Sequence, residues 1–267
     1  MNSIELSKKI RIESLKMVHK INGSHIGSAF SMVDILSVLY TNILNIDNNK
    51  PEFKNRDRFI LSKGHACSAL YACLALKGFF RMDELNKYGM NDSNLMNHVS
   101  HKVPGVEFST GSLGHGLPFG LGKALGLKLN KINSRVFVLI GDGELAEGSN
   151  FEAMLLSAHH KLDNLILIID HNNLQSLTTV EKTLRLQPFK DKFEAFGWNY
   201  IEVDGHNHND LIRCFKDLKK VKNKPSVILA NTIKGKGVKF MEDKVEWHYK
   251  SPNDEELKVA IKQIQNA

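Results

Sequence analysis

RVFVLIGDGELAEGSNFEAMLLSAHHKLDNLILIIDHNN (residues 135–173) contains the two strands that decide the fold. The runs 135–140 and 165–170 are almost entirely apolar, rich in β-branched residues and flanked by polar ones. Continuous runs of this kind are typical of strands buried on both faces of a parallel sheet. The segment between them, about 149–161, has the length of a crossover helix, so the stretch predicts a βαβ unit.

The rest of the chain repeats this alternation. Helices are predicted at about 4–20, 31–44, 66–77, 117–129 and 208–221, and further strands at 58–62, 199–203 and 226–232. Ser31 is expected to cap the second helix with Asp34 three residues later, as in a capping box. The Gly- and Ala-rich helix 117–129 can pack closely on a sheet. We therefore predict an α/β fold, a doubly wound, mostly parallel sheet with helices on both faces, in a single domain spanning 1–267.

Composition excludes several classes of protein. No run approaches the roughly 18 to 20 apolar residues of a membrane span, and the N-terminus lacks the apolar core of a signal peptide. The three cysteines form no C-x-x-C pair, which favours reduced thiols in a cytoplasmic protein. The net charge is +7, and its densest block, 216–224, has no interleaved aromatics. That block is read as a solvated helix end, so neither nucleic acid nor membrane is expected as a partner.

Two polar side chains stand just beyond the strands of the opening stretch. Asp142 follows the first strand and Asn172 the second. Ligands of open α/β sheets bind beyond the carboxyl ends of the strands, so both side chains share one edge if the strands are neighbours. A carboxylate, an amide oxygen and a backbone carbonyl are hard oxygen ligands that Mg²⁺ accepts, with phosphate and water completing its shell. Gly141 and Gly143 would let a phosphate approach the backbone near the start of the next helix.

An ordinary turn is the alternative, because Asp and Gly are frequent at strand ends. The second polar strand end favours the metal site. Residues 141–173 also resemble the thiamine diphosphate signature, which is Gly-Asp-Gly followed about thirty residues later by Asn-Asn. The resemblance implies that Asp142 and Asn172 hold Mg²⁺, or another divalent cation such as Ca²⁺ or Mn²⁺, through their side chains. It implies that Leu174 does so through its carbonyl and that Gly143 contacts the diphosphate of thiamine diphosphate.

Four further motifs resemble the N-terminal half of transketolase and occur in that family's order. They are SHIGSAFSMVDIL (24–36), RDRFILSKGHACSALYACL (56–74), PGVEFSTGSLGHGLPFGLGKALG (104–126) and TIKGKGVKFMEDKVEWHYKSP (232–252). The likeness is greatest to transketolases split into two polypeptides, of which this chain would be the N-terminal subunit. Its single domain would then be the diphosphate-binding, or PP-type, domain.

The same resemblance assigns roles to four histidines. His25 and His248 would transfer protons near the reacting carbonyl and the C3 hydroxyl of a sugar, and His98 would hydrogen-bond the C1 hydroxyl. His65 would reach both cofactor and substrate. Imidazoles suit this chemistry because they donate, accept and titrate near neutral pH.

Other positions carry weaker or competing assignments. By resemblance the backbone of Gly111, Ser112 and Leu113 would line the cofactor rings, and His65 and Glu147 would also belong to the cofactor site. Glu147 matches a glutamate in a hydrogen-bond network that links paired active sites. His101 competes with His98 for the role at the C1 hydroxyl, and the short spacing to Pro104 favours His98. His115 stays open between a catalytic and a packing role. The other histidines that stand near element ends are read as ordinary polar residues: His159, His160, His171, His206 and His208.

The resemblance also implies a partner. In the family, the glutamate that activates thiamine and the arginines that grip sugar phosphates lie in other domains. We therefore expect a C-terminal transketolase subunit carrying the pyrimidine domain, an α2β2 heterotetramer, and a catalytically silent isolated chain. The expected reaction of carbohydrate metabolism is transfer of a two-carbon ketol unit from a ketose (phosphate) to an aldose (phosphate), by a magnesium-dependent transferase. The alternatives are the α chain of a 2-oxo acid dehydrogenase, a deoxyxylulose phosphate synthase-like protein, or a non-catalytic relic of the fold.

Overall fold

A sheet of five parallel strands forms the centre of the computed structural model, which describes residues 1–266. The strand order is β1-β2-β3-β5-β4, and every pairing between these strands is parallel. The strands are β1 (Arg58–Leu61), β2 (Val136–Gly141), β3 (Leu165–His171), β4 (Asn199–Asp204) and β5 (Ser226–Asn231). All five coincide with predicted strands, and their apolar runs explain why the central ones are buried on both faces.

Helices cover both faces of the sheet, as the doubly wound prediction requires. They are α1 (Ser3–Lys20), α2 (Ile26–Ser31), α3 (Val33–Val38), α4 (Cys67–Leu76), α5 (Gly116–Leu129), α6 (Gly148–His159), α7 (Val180–Thr183), α8 (Phe189–Ala195), α9 (His208–Asp217) and α10 (Asp254–Asn266). Of these helices, α7, α8 and α10 were not predicted from the sequence. Within residues 1–266, no helix combines the length and the apolar character that crossing a bilayer requires.

The predicted helix 31–44 is wrong in its start and its cap. The helical region begins at Ile26, breaks after Ser31, resumes as α3 and ends in a π-helical turn, Leu39–Ile43. Ser31 is the last residue of α2, and its hydroxyl donates to the buried carboxylate of Asp170 at 2.6 Å. Because this region is buried, the hydroxyl satisfies a core carboxylate instead of capping a helix. Asp34 is likewise occupied elsewhere, by Arg11.

Side chains that alternate along the strands feed two apolar cores. Phe137 and Leu139 of β2 join the core that contains α1, α3, α4, α9 and α10. Val138 and Ile140 of the same strand join the core that contains α5, α6 and α8. This two-layer burial leaves the carboxyl ends of the strands as one continuous edge. The β2–β3 register pairs Gly141 with Asp170, so Asp142 and Asn172 follow at this edge.

Close packing of α5 on the sheet explains its glycine content. A Cβ atom at Gly120 would overlap the Cγ2 atom of Val138 on β2. Gly122, two residues along the same helix, is exposed, and a Cβ atom there would meet no atom within 4 Å. The helix can therefore approach the strand only because position 120 lacks a side chain.

Replacing Gly120 with alanine is expected to lower the free energy of unfolding by about 1 to 3 kcal/mol, because α5 or Val138 must shift. Gly122→Ala is the matched control on the same helix and should raise stability by up to about 1 kcal/mol through helix propensity. Urea denaturation of both variants measures the two effects. Equal stabilities for the two variants would contradict the packing argument.

Candidate active site

The two predicted strand ends meet as expected. The Oδ2 atom of Asp142, just beyond β2, accepts a hydrogen bond from the Asn173 N–H at 2.6 Å, so the chain leaving β3 folds over that carboxylate. The Oδ1 atom of Asp142 accepts from the Gly143 N–H at 2.8 Å. Asn172 is buried beside them, and its Oδ1 accepts from the Leu174 N–H at 3.1 Å. The structure thus brings Asp142, Gly143, Asn172 and Leu174 into one loop cluster.

Asp142 is a carboxylate in need of positive charge. It is 2% exposed, and burial, followed by the nearby charge of Asp170, raises its pKa to about 6. Two backbone N–H groups only partly offset this cost. Within the described residues there is no group of three or more His, Cys, Asp or Glu side chains suited to a metal ion. The predicted donor set is of another kind, one carboxylate with an amide oxygen and a carbonyl, which is the chemistry that Mg²⁺ takes.

A buried ion pair lies directly beneath this cluster. Lys63, which follows β1, contacts the carboxylate of Asp170 in β3, and both side chains are almost completely buried. The Lys63 ammonium also donates to the Ser28 carbonyl at 2.8 Å. The hydroxyls of Ser31 and Thr232 donate to the same carboxylate. Burial alone would raise the pKa of Asp170, but Lys63 and these hydroxyls hold it below its ordinary value.

The four histidines predicted as catalytic stand together. The ring of His25 lies 5.0 Å from those of His65 and His248 and 6.0 Å from that of His98, measured between centroids. His25 has a left-handed backbone (φ 72°) at the start of α2, and its N–H donates to the His248 carbonyl at 2.7 Å. The side chains therefore come from four separate segments of the chain and converge on one point.

Burial keeps the inner histidines neutral. Burial, then the charges of His98 and Lys234, lowers the pKa of His25 to about 4. Burial and Lys234 lower the pKa of His248 to about 3, and burial with Lys63 lowers that of His65 well below its ordinary value. Neutral imidazoles at pH 7 can accept a proton from a substrate hydroxyl.

Lys234 is a site residue that sequence analysis missed. It is 1% exposed, and its Nζ atom lies 3.1 Å from Nδ1 of His248 and donates to the Gln175 carbonyl at 2.9 Å. Burial, then the charge of Lys63, lowers its pKa to about 8. A charge this deeply buried beside a histidine cluster is typical of a functional site.

The loop that leads from α4 to α5 lies beside the histidines. A Cβ atom at Gly111 would lie 3.4 Å from the ring of His98, so the segment that begins with Gly111 and continues through Ser112 and Leu113 starts in contact with that ring. Its end is fixed by Glu144, a buried carboxylate that accepts from the Gly114 N–H at 2.9 Å. Glu144 was also missed.

Three predicted or disputed residues lie outside the histidine cluster. Glu147 is exposed at the start of α6, and His115 is exposed with its Nδ1 atom 3.1 Å from the Leu113 carbonyl. His101 is exposed too, bonded through Nδ1 to the Ser109 hydroxyl at 2.6 Å. Of the two competing histidines, His98 is the one near His25.

The sequence held a signal for some of the missed residues but not for Lys234. Lys63 and Asp170 are charged residues at the ends of buried strands, which require a partner. Lys234 lies in the motif 232–252 but has no special spacing.

A wide cleft of about 590 Å³ lies at the opposite edge of the sheet, where the strands begin. It is lined by basic residues including Lys131 and Lys222, and no predicted site residue lines it.

Known proteins resemble this chain over nearly its whole length. The family profile described as "Transketolase, thiamine diphosphate binding domain" matches residues 3–265. The chain is 39% identical, over 258 residues, to an apulose-4-phosphate transketolase subunit of Phocaeicola vulgatus, covering 97% of this chain and 92% of that protein. It is 36% identical over 257 residues to the 6-deoxy-6-sulfo-D-fructose transketolase subunit SqwG of Clostridium sp., covering 96% and 94%.

A solved structure shows the same fold. Transketolase from Campylobacter jejuni matches with a TM-score of 0.94 and 33% identity, over 99% of this chain and 43% of that one. The chain therefore spans less than half the length of that solved transketolase.

Acidification should destabilise the folded chain partly through His25. In the unfolded chain His25 has an ordinary pKa of about 6.5, whereas folding lowers its pKa to about 4. Between these two pH values the unfolded chain binds a proton at His25 that the folded chain does not, so the free energy of unfolding falls as the pH drops. His25→Asn tolerates the left-handed backbone and should reduce the slope of unfolding free energy against pH. His159→Asn, at an exposed position on α6, is the control. Urea denaturation from pH 7.5 to 5 measures the slopes, and identical slopes for all three proteins would contradict the expectation.

Proposed function

The chain belongs to the family of transketolase thiamine diphosphate-binding domains, and on that premise we propose that it is the diphosphate-binding subunit of a two-chain transketolase. The proposed reaction moves a two-carbon ketol unit from a ketose, or ketose phosphate, to an aldose or aldose phosphate. One observation carries the proposal. A desolvated carboxylate, Asp142, shares the carboxyl edge of the sheet with four converging histidines.

The residues at the strand ends fit a divalent cation and a diphosphate. Asp142 and Asn172 would hold Mg²⁺ through side-chain oxygens and Leu174 through its carbonyl. The cation would supply the positive charge that the raised pKa of Asp142 calls for. Gly143 would contact the diphosphate through its backbone, and no side chain can stand at this position because a Cβ atom would lie 2.9 Å from the Gln175 side chain. Lys234, with a pKa of about 8, is mostly cationic at pH 7 and adds a second positive charge.

Proton transfer is the part of the reaction that this chain's side chains can perform. Thiamine diphosphate, when bound, supplies the electron sink for carbon–carbon cleavage. His25 and His248 are neutral at pH 7 and lie 5.0 Å apart, so one substrate carbonyl and its neighbouring hydroxyl can contact both. His98 is the exposed member of the cluster, where it can orient a terminal hydroxyl. His65 comes shortly after β1, and its ring centroid lies 5.6 Å from that of His248.

A partner chain forms part of the proposal. Gly111, Ser112 and Glu147 are exposed, as expected for residues that a second chain and the cofactor cover. The relatives of similar length are named as transketolase subunits, which supports a C-terminal partner carrying the pyrimidine domain, in an α2β2 assembly. The three cysteines are free and buried, in keeping with the proposed cytoplasmic location.

Asp142→Ala should abolish the heat that Mg²⁺ and thiamine diphosphate release on binding, because the cation loses its charged ligand. Asp191→Ala, at an exposed position on α8, is the control and should bind as the wild type does. Isothermal titration of the complex with the C-terminal partner chain makes the comparison. Cofactor-dependent heat that survives in the Asp142 variant, or is absent from the wild type, would contradict the proposed site.

Ketol transfer should require both chains. The purified chain is expected to show no transfer from any ketose donor, and adding the partner should produce it. The donor panel should include ketose phosphates and the modified sugars named for the relatives, apulose 4-phosphate and 6-deoxy-6-sulfo-D-fructose. Transfer by the single chain would refute the partner requirement, and pyruvate-dependent CO₂ release would identify one of the alternative thiamine enzymes.

A further inference from the structure

The segment after β5 carries Lys234 into the candidate site. The ammonium group of Lys234 contacts the Gln175 carbonyl and Nδ1 of His248. Its aliphatic chain packs against Gly27, where a Cβ atom would lie 3.2 Å from the Cγ atom of Lys234. Residues 232–244 form turns and irregular structure, so no regular ladder of backbone hydrogen bonds holds this segment in place. Its position must therefore come from other contacts to its backbone.

Backbone hydrogen bonds hold part of this segment: the Gly235 N–H donates to the Gly27 carbonyl, and the Lys234 carbonyl accepts from the Asp243 N–H, both at 3.0 Å. Two side chains hold the backbone on either side of Lys234 as well. On one side the Ile233 N–H donates to Nε2 of His206 at 2.8 Å. On the other, the Lys236 carbonyl accepts from Nε of Arg11 at 2.9 Å. Arg11 can approach because position 237 is glycine with φ 97°, where a Cβ atom would lie 3.2 Å from the Arg11 side chain.

Both contacts lead back to one buried carboxylate. Nδ1 of His206 lies 2.7 Å from Oδ2 of Asp34, and Arg11 donates to the two oxygens of Asp34 at 2.9 and 2.7 Å. Burial alone would raise the pKa of Asp34, but Arg11 and two histidines hold it well below its ordinary value. We refer to Arg11, Asp34 and His206 as the Asp34 clasp.

The clasp defines the protonation of His206. The Ile233 N–H is a donor, so Nε2 must be the unprotonated acceptor and Nδ1 must carry the proton toward Asp34. A carboxylate that fixes the tautomer and orientation of an imidazole is a recurring device in functional sites.

We propose that the Asp34 clasp positions Lys234 for the anionic cofactor, which makes His206 a positioning residue of the candidate site. The identity of the anion, a diphosphate, rests on the function proposed above. The clasp itself rests on the contacts to Ile233 and Lys236. His206 was predicted from the sequence to be an ordinary polar residue at an element end, whereas its contacts to Asp34 and Ile233 give it a positioning role.

His208 offers a matched control. Its Nε2 atom lies 3.2 Å from Oδ1 of the same carboxylate. Its Nδ1 atom contacts the hydroxyl of Ser3 on α1 and not the backbone beside Lys234. His206→Asn keeps a donor for Asp34 and loses the acceptor for Ile233. His206→Gln places an amide oxygen near the position of Nε2 and should restore that acceptor.

Nuclear magnetic resonance of the full chain tests the proposal. The ¹⁵N shifts of His206 should show Nε2 unprotonated, and His206→Asn should speed hydrogen exchange at the Ile233 amide. Titration with Mg²⁺ and thiamine diphosphate, which this method can follow even for weak binding, should give a dissociation constant about tenfold higher for His206→Asn. His208→Asn should stay near the wild type, and His206→Gln should bind more tightly than His206→Asn because it restores the acceptor for Ile233. Thermal denaturation monitors folding.

The outcomes separate the two proposals. A wild-type complex with the C-terminal partner chain that binds no thiamine diphosphate refutes the proposed function, while the tautomer and exchange measurements on the single chain still test the clasp. A wild type that binds, with His206→Asn binding equally well, overturns the clasp. Equal losses of affinity and stability in the His206→Asn and His208→Asn variants would show that the network is purely structural and would also overturn the clasp proposal. A protonated Nε2 of His206 in the wild type would overturn the clasp proposal as well.

Discussion

The buried ion pair between Lys63 and Asp170 is the interaction on which the candidate site depends. It joins the ends of β1 and β3, and the hydroxyls of Ser31 on α2 and Thr232 after β5 complete it. Removing one partner of such a pair leaves an uncompensated buried charge, at a cost of about 3 to 5 kcal/mol. The pair therefore fixes three strand ends and one helix relative to each other. His25, His65, Asn172 and Leu174 lie in segments that directly adjoin these elements, and Asp142 follows β2, which lies between β1 and β3 in the sheet.

The same pair sets the charges of the site. Burial contributes most to each shift, but Asp170 further raises the pKa of Asp142, and Lys63 further lowers those of His65 and Lys234. One end of the site is thereby made to need a cation, while the other is kept free of protons. A divalent ion with a phosphate group would neutralise Asp142 without adding protons to the histidines. This electrostatic difference explains why a carboxylate that needs a cation and neutral histidines can share one site.

Sequence predicted the parts of the fold that local pattern determines. Short runs rich in apolar and β-branched residues identified all five strands. The crossover length between β2 and β3 implied their parallel pairing, and hence the meeting of Asp142 and Asn172. The failure at 31–44 has a physical cause. Ser31 and Asp34 have the spacing of a helix cap, yet both side chains are recruited by distant buried charges. Local propensity gives way where tertiary burial sets a larger penalty for an unpaired charge.

The missed residues share long sequence separation from their partners. Lys63 and Asp170 are 107 residues apart, and Asp34 and His206 are 172 apart. A single sequence shows that a charge at the end of a buried strand requires compensation, but it does not name the group that compensates it. The histidines predicted as catalytic could be named because a family resemblance supplied their roles. Lys234 and His206 belong to no local pattern, and only the folded chain shows that a carboxylate near the N-terminus is linked through an imidazole to the backbone beside a buried lysine. Positioning groups of this kind are therefore best sought by following the hydrogen bonds outward from the site's charges.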